Sequence, residues 1–481
     1  MKRVSTGVLG LDEVLAGGLP AQRTYLVRGG PGTGKTTLGL HFLTASHTKP
    51  GKSMLITFGE SGEQIRANAN LLEIDLKGVE ILDLSPSSQF FSENESYDIF
   101  SPAEVERAPL THTIIDAVDR IKPERVFIDA MTQMKYLAAD LFQFHKQTLS
   151  FLRYLTDQGA TVVFTSENSP QVPDADLQFL SDGVITLADK DGRLNLTVSK
   201  FRGSDFARGE HTYTLSDKGA LVFPRLIPAL HSKSFDRTKL PSGVPELDEM
   251  TAGGFERGTC VIFTGPSGVG KTTLGMQYMK EAAGRGVHSA VYLFDESIDI
   301  CLNRCRQVQI PADLMLEKGD LKIRQINALE TSADELAVEV RRDVEENDTQ
   351  IVMIDSVRGY QLALGKEKLD REITSLIRYL TRMGVTVFIT NEVEKITGDF
   401  QVTEVGISYV ADSIVFLRYL EIDGEIRKAI GILKNRLSEF QRTLREFEIT
   451  RYGIKVGRPL SNLRGLLSGT PQWIQEPGER S

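Results

Sequence analysis

The feature that most constrains this chain is a lead-in ending in a phosphate-binding loop, which occurs twice. The first copy reads STGVLGLDEVLAGGLPAQRTYLVRGGPGTGKTTLGLHFL from Ser5 to Leu43, and the second PSGVPELDEMTAGGFERGTCVIFTGPSGVGKTTLGMQYM from Pro241 to Met279. Their lysines, Lys35 and Lys271, stand 271 − 35 = 236 residues apart, and Glu60 and Glu296 keep the same offset. A repeat this long is a tandem duplication of a whole domain, since solenoid repeats are far shorter. At 481 residues the chain is also about twice the size at which one hydrophobic core stops growing. Two homologous domains are therefore expected, over 1–228 and 243–466, with a linker at 229–242 and a flexible tail at 467–481.

Short apolar runs alternate with helix-length segments in both halves. TYLVRG, SMLITFGE, VEILDL, RVFIDAM and ATVVFTSEN answer to TCVIFTG, SAVYLFDE, LKIRQI, QIVMIDS and VTVFITNE. Strands apolar on both faces and separated by helices predict α/β domains, each a mostly parallel sheet flanked by helices. Each half then closes on a C-terminal hairpin, signalled by Asp-Gly between alternating runs in GVITLADKDGRLNLTVSK and SIVFLRYLEIDGEIRKAIGILK.

The net charge of −9 disfavours a surface built to neutralise nucleic-acid phosphates, so no nucleic-acid partner is expected. No apolar run approaches the length of a membrane span. The three cysteines, Cys260, Cys301 and Cys305, form no CxxC pair, which fits a reduced, cytoplasmic compartment. Cys301 and Cys305 share a helix face, but no histidine joins them at zinc-like spacing, so ordinary packing is the expectation.

The pattern GxxxxGK[ST] spans Gly29–Thr36 and Gly265–Thr272. Glycines let backbone amides curl around a phosphate, and the following helix turns its positive end toward the same anion. The expected cradle is Gly30, Gly32, Thr33, Gly34, Lys35, Thr36 and Thr37 in the first half. In the second it is Ser267, Gly268, Val269, Gly270, Lys271, Thr272 and Thr273. The lysines would reach the β- and γ-phosphates of ATP, and the hydroxyls of Thr36 and Thr272 would ligate Mg²⁺. A second acidic group for the metal should end a buried strand, which selects Asp129 in RVFID and Asp355 in IVMID. Phosphoryl transfer also needs a group to orient the attacking oxygen. LFDES offers Asp295 and Glu296, whereas TFGES offers only Glu60 beside Gly59. These acids end a strand, and successive strand side chains point to opposite faces, so only one of each pair is expected to face the phosphate.

These motifs resemble the KaiC family, the duplicated RecA-like P-loop ATPases and autokinases of the cyanobacterial clock, along nearly the whole chain. The resemblance rests on both lead-ins, both P-loops, the acids after the next strand, Asp129 and Asp355, and the segments SKFRGSDFARGEHTYTLSDKG and LKNRLSEFQRTLREFEIT. It implies two tandem RecA-like domains, ATP and Mg²⁺ as cofactors, a homo-hexameric ring, and slow ATPase activity with Ser/Thr autokinase activity. It also implies that the pairs Lys200 with Arg202 and Lys434 with Arg436 reach a neighbouring subunit's γ-phosphate, where cations neutralise the transferring group.

By the same resemblance, TEVGISYVADSIVFLRYLE carries the phosphoacceptors, with Ser408 first, Tyr409 second and Thr403 in an accessory position. Tyr409 departs from the family by placing its hydroxyl at the end of a rigid ring. Gly59 departs by standing where a first catalytic acid is expected, and Asp295 is one methylene shorter than the family's Glu, about 1.5 Å. The short tail makes a KaiA-type activator unexpected and leaves room for a KaiB-like partner on the N-terminal half. Two other readings compete: a RecA-like ATPase acting on DNA, which lacks any zinc module or dense basic loop here, and an ATP-sensing scaffold without kinase activity.

Overall fold

The computed structural model describes residues 2–45, 52–86, 107–135, 140–167, 173–364, 366–393, 407–422, 424–461, 463–464 and 472–473. The chain forms two compact units, Met1–Arg225 and Leu226–Ser481. Residues 229–242, read above as a linker, are held by the second unit. His231 packs edge-on against Tyr379, Lys239–Leu240 pairs with Phe255–Glu256, and the Ser242 amide donates to Asp248. Apart from Gln472 and Trp473, the expected tail at 467–481 lies outside the described residues.

The first unit is built on a nine-stranded sheet: β1 (Thr24–Gly29), β2 (Ser53–Thr57), β3 (Val79–Asp83), β4 (Arg125–Asp129), β5 (Thr161–Glu167), β6 (Gly183–Lys190), β7 (Arg193–Phe201), β8 (Glu210–Ser216) and β9 (Gly219–Phe223). The spatial order is β3-β2-β4-β5-β1-β6-β7-β8-β9. The first six run parallel and the last three turn back antiparallel. The second unit repeats this with β10 (Cys260–Gly265), β11 (Ser289–Leu293), β12 (Leu321–Gln325), β13 (Ile351–Asp355), β14 (Thr386–Glu392), β15 (Ser413–Ile422), β16 (Glu425–Asn435), β17 (Arg445–Thr450) and β18 (Gly453–Pro459). Its order, β12-β11-β13-β14-β10-β15-β16-β17-β18, is the same one shifted by nine strands. The expected tandem RecA-like α/β folds are present, down to the C-terminal hairpins. In the β6–β7 hairpin Asp191 and Gly192 both have positive φ, 54° and 76°, as the tightest two-residue turn demands.

Each central strand feeds two cores because successive side chains alternate between faces. Tyr25 and Val27 of β1 enter one buried cluster while Leu26 enters the other, and Val261 and Ile262 of β10 divide in the same way. Helices cover both faces. The helix Lys35–Thr44 lies close on β4 because residue 39 is glycine: a Cβ there would stand 2.0 Å from the Phe127 ring. Cys301 and Cys305 lie on the buried face of the helix Ile298–Gln307 and pack into a core of the second unit.

This order puts β1 and β10 at the middle of their sheets, with a crossover on either side. Ligands of open α/β sheets bind beyond the carboxyl ends of the strands at such a point. Both phosphate loops leave from that end.

Candidate functional site

In the second unit β10 runs into the loop Gly265–Gly270, and the helix Lys271–Ala283 starts at the lysine itself. The ammonium of Lys271 folds back over the loop, donating to the carbonyls of Gly265 at 2.9 Å and Pro266 at 2.8 Å. Burial pulls its pKa below the ordinary lysine range, opposed by the carboxylates of Glu392 and Asp355. A buried cation bonded to two carbonyls, over a turn of glycines at a helix N-terminus, is chemically suited to an incoming polyphosphate. Asp355 ends β13, as its apolar run predicts. It accepts from Thr272 Oγ1 at 2.7 Å and from the hydroxyl of Thr390. A carboxylate and a hydroxyl meeting beside a phosphate loop form an oxygen donor set that fits Mg²⁺.

A cavity of about 500 Å³ opens over this loop. Ser267, Gly268, Gly270, Lys271, Thr272 and Thr273 line it, together with Asp295, Glu296 and Asp355. Val269 buries its side chain in the core, so only its backbone is available to a ligand. The expectation from strand alternation fails here. Strand β11 ends at Leu293, so Asp295 and Glu296 lie on a bend and both reach the cavity. They are not equivalent. Asp295 accepts a hydrogen bond from Ser356 Oγ at 2.5 Å. Glu296 is clamped by the guanidinium of Arg304, and burial raises its carboxyl pKa despite that partner. Asp295 is thus the less encumbered acid of the two.

Seven lining residues escaped the sequence reading, among them Ser356, Glu392, Arg304 and Lys428. Glu392 had a signal, because VTVFITNE and ATVVFTSE both end in glutamate, giving Glu392 and Glu167 at matching strand ends. Arg304 arrives on a helix and Lys428 on β16, where its ammonium donates to the Gly268 carbonyl at 3.2 Å. Only folding brings these two to the loop, so no local pattern announces them.

The first unit repeats the cradle. Lys35 donates to the carbonyls of Gly29 and Gly30 at 3.0 and 2.8 Å, and burial lowers its pKa against the pull of Asp129 and Glu167. Thr36 Oγ1 donates to Asp129 at 2.6 Å, Thr33 Oγ1 to the Gly30 carbonyl at 2.8 Å, and Tyr213 OH to the Thr33 carbonyl. The loop glycines Gly30 and Gly32 have open space where a Cβ would stand, whereas at Gly34 it would strike Leu215; Thr37 lies in the first turn of the following helix. The groups beside the loop differ. Gly59 stands in place of Asp295, and Ala130 follows Asp129 where Ser356 follows Asp355, so the carboxylate and its hydroxyl partner are missing together. Glu60 is exposed, and its carboxylate accepts a long hydrogen bond of 3.5 Å from Asn68 Nδ2.

Neither Lys-x-Arg pair lies at its own phosphate loop. Lys200 pairs across β6 with Val184, which pairs with Leu26, three residues before Gly29 on β1. Lys434 repeats the arrangement through Ile414 and Ile262. Three residues of strand are about 10 Å, and the ammonium groups point farther from the loop. Lys200 donates to the carbonyls of Gln178 and Phe179, and Lys434 to those of Ser408 at 3.0 Å and Ala411 at 2.5 Å. Arg202 lies 3.9 Å from Asp182 and is largely exposed, while Arg436 donates to the Tyr409 carbonyl at 3.4 Å. Ser408 and Tyr409 form a single turn ahead of β15, at the sheet end opposite the loop. The Tyr409 hydroxyl is within hydrogen-bonding distance, 2.9 Å, of Thr374 Oγ1. Thr403 lies outside the described residues.

No helix among the described residues is long and apolar enough to cross a membrane. The family model described as "ATPase: KaiC" matches the chain twice, over residues 4–227 and 240–461. The circadian clock oscillator protein KaiC of Parasynechococcus marenigrum is 28% identical over 98% of this chain and 94% of its own length. That of Thermostichus vulcanus is 30% identical over 98% and 92%. The circadian clock protein KaiC3 of Synechocystis is 26% identical over 99% and 96%. With both halves matched and both phosphate cradles formed, the chain belongs to the KaiC family of ATP-hydrolysing P-loop proteins.

Proposed function

We propose that this protein is a KaiC-type autokinase with slow ATPase activity, working as a ring in which ATP sits at the boundary between copies. The observation that carries the reading is the position of Ser408. It precedes β15, which runs parallel to β10, so the hydroxyl lies at the sheet end opposite its own Lys271 loop. A nucleotide held by that loop is out of reach, and only a second copy could supply one. Lys434 and Arg436 dock on the carbonyls of the same acceptor turn, so a copy presenting Ser408 also presents two cations. A ring of six copies is what the family resemblance implies.

In this reading Lys271 and the loop amides hold the phosphates of ATP, and Lys434 and Arg436 of the neighbouring copy offset charge on the γ-phosphoryl group. Thr272 and Asp355 would hold Mg²⁺, which neutralises phosphate charge when bound. Asp295, steadied by Ser356, orients the Ser408 hydroxyl and takes its proton. A bond forms from Ser408 Oγ to the γ-phosphorus as the bond to the β-phosphate oxygen breaks, leaving ADP. Water in place of the hydroxyl gives hydrolysis. Tyr409 is a weaker acceptor, because its hydroxyl is engaged at Thr374 and stands a ring's length from the backbone.

The first unit would use bound ATP mainly to assemble the ring, a division favoured by the loss of both members of the Asp295–Ser356 pair. Intact-mass spectrometry after incubation with Mg-ATP tests the kinase reading. Wild-type protein should gain phosphate, Lys271→Ala none, and Ser408→Ala little; a wild-type chain that never yields a phosphopeptide covering Ser408 sinks it. For the division of labour, Lys35→Ala should reduce assembly in light scattering more than it reduces labelling.

A further inference from the structure

Asp174 is the N-cap residue of the short helix Ala175–Leu180, a position where aspartate ordinarily accepts from the first helical amides. Here its side chain makes no such bond. The carboxylate turns instead toward the sheet and receives Arg28 in a two-pronged pair, with Nε and an Nη each at 2.8 Å. Ser166 Oγ donates to it at 2.6 Å and Gln178 Nε2 at 2.9 Å. The Asp174 side chain is 2% exposed. Burial alone would raise its pKa, and the bonds from Arg28, Ser166 and Gln178 together hold it below the usual range. A charge this deep is stable only with such partners, and removing one of them is costly.

The two ends of this network matter. Arg28 immediately precedes Gly29, the first residue of the phosphate loop, and Ser166 immediately precedes Glu167, whose charge acts on Lys35. At the far end, the carbonyls of Gln178 and Phe179 are the ones that hold the ammonium of Lys200. In the second unit the counterparts of Arg28 and Ser166 are the uncharged Thr264 and Asn391, with Asn391 Nδ2 donating to Thr264 Oγ1 at 3.1 Å. Its Lys434 is held by the acceptor turn instead.

We infer that Asp174 is a positioning residue that couples each N-terminal nucleotide site to the lysine its own chain offers to the next site. Through Arg28 and Ser166 the carboxylate is fixed to the loop strand and to the strand ending at Glu167. Through Gln178 it fixes the helix end on which Lys200 rests. A shift of the phosphate loop on nucleotide binding then moves Lys200 toward or away from the neighbouring site. The N-terminal ring therefore binds and turns over ATP cooperatively, while the C-terminal ring answers to its acceptor turn. This inference rests on the reading of Lys200 as a cation acting between copies.

The test uses full-length protein in which Lys271→Ala silences the second site, with phosphate release measured across ATP concentration. The parent should show a Hill coefficient above unity. Asp174→Asn keeps the shape, loses the charge, and should bring the coefficient to unity with kcat about tenfold lower or more, as misplacement of a positioning group does. KM should change little, and Asp174→Glu should restore part of both properties. If Asp174→Asn fails to fold, Gln178→Ala, which keeps the carbonyl under Lys200, should shift both in the same direction. A parent without cooperativity, or an Asp174→Asn protein with the parental kcat and Hill coefficient, overturns the inference. Lys200→Ala separates the two failures: if it lowers kcat while Asp174→Asn does not, only the coupling is wrong, and if it is inert the reading of Lys200 falls too.

Discussion

Restoring the missing pair to the first unit should convert a slow site into a faster one. The changes are Gly59→Asp with Ala130→Ser, which copy Asp295 and Ser356. Gly59 has no atom within 4 Å of where a Cβ would stand and does not adopt a positive φ, so the new side chain meets neither a clash nor backbone strain. The stability change should stay within about 1 kcal/mol. A hydrogen bond to a carboxylate is worth about 1.5–3 kcal/mol, enough to hold the acid in one orientation most of the time. A positioned general base contributes about 10²–10⁴-fold, so the double variant should release phosphate about a hundredfold faster. Gly59→Asp alone, with an unsteadied carboxylate, should gain about tenfold. The assay is steady-state phosphate release from full-length protein carrying Lys271→Ala, with Lys35→Ala as the control that abolishes the gain. A double variant that folds, binds ATP and turns over no faster refutes the assignment of Asp295 and Ser356.

Three further outcomes follow from the geometry. Gly39→Ala should destabilise the first unit by about 1–3 kcal/mol, because the added methyl would meet the Phe127 ring; an unchanged or higher first thermal transition contradicts this. His41 is half-buried, its Nε2 accepts from the Ala220 amide at 3.1 Å, and burial holds its pKa below the usual value of 6.5. The unfolded chain thus takes up the proton first as pH falls, so this contribution is complete above about pH 6.5 and is lost below it. His211, depressed mainly by burial, adds in the same sense. His41→Gln should therefore shrink the stability difference between about pH 7.5 and pH 5.5 in urea unfolding, and an undiminished difference counts against it. Asp355→Asn should raise the Mg²⁺ concentration for half-maximal labelling about tenfold or more, and an unaltered Mg²⁺ dependence removes Asp355 from the metal site.

The fold was legible from local patterns because duplication printed each of them twice. Strand β13 ends at Asp355 as IVMID predicts, and the β6–β7 hairpin turns at Asp191-Gly192 because those residues tolerate positive φ. The inequality of the halves was also visible at Gly59. Strand alternation misled at Asp295 and Glu296, because the length of β11 is set by pairing with its neighbours and it stops two residues short.

What the sequence determined by itself was everything carried by contiguous residues: two phosphate loops, an acid closing a buried strand in each half, and the succession of strands and helices along the chain. What only the tertiary structure decided was what meets across the chain. Arg304 and Lys428 come to the cavity from a helix and a hairpin strand, and Ser356 selects Asp295 by a bond between residues 61 apart. Ser408 and the Lys-x-Arg pairs lie at the far end of the sheet from their own loops because β10 and β15 run parallel. Asp174 stands at a helix N-cap position, yet its buried carboxylate turns inward to Arg28, Ser166 and Gln178. Local chemistry fixes which groups a chain owns, whereas burial and strand direction fix which of them can reach one another.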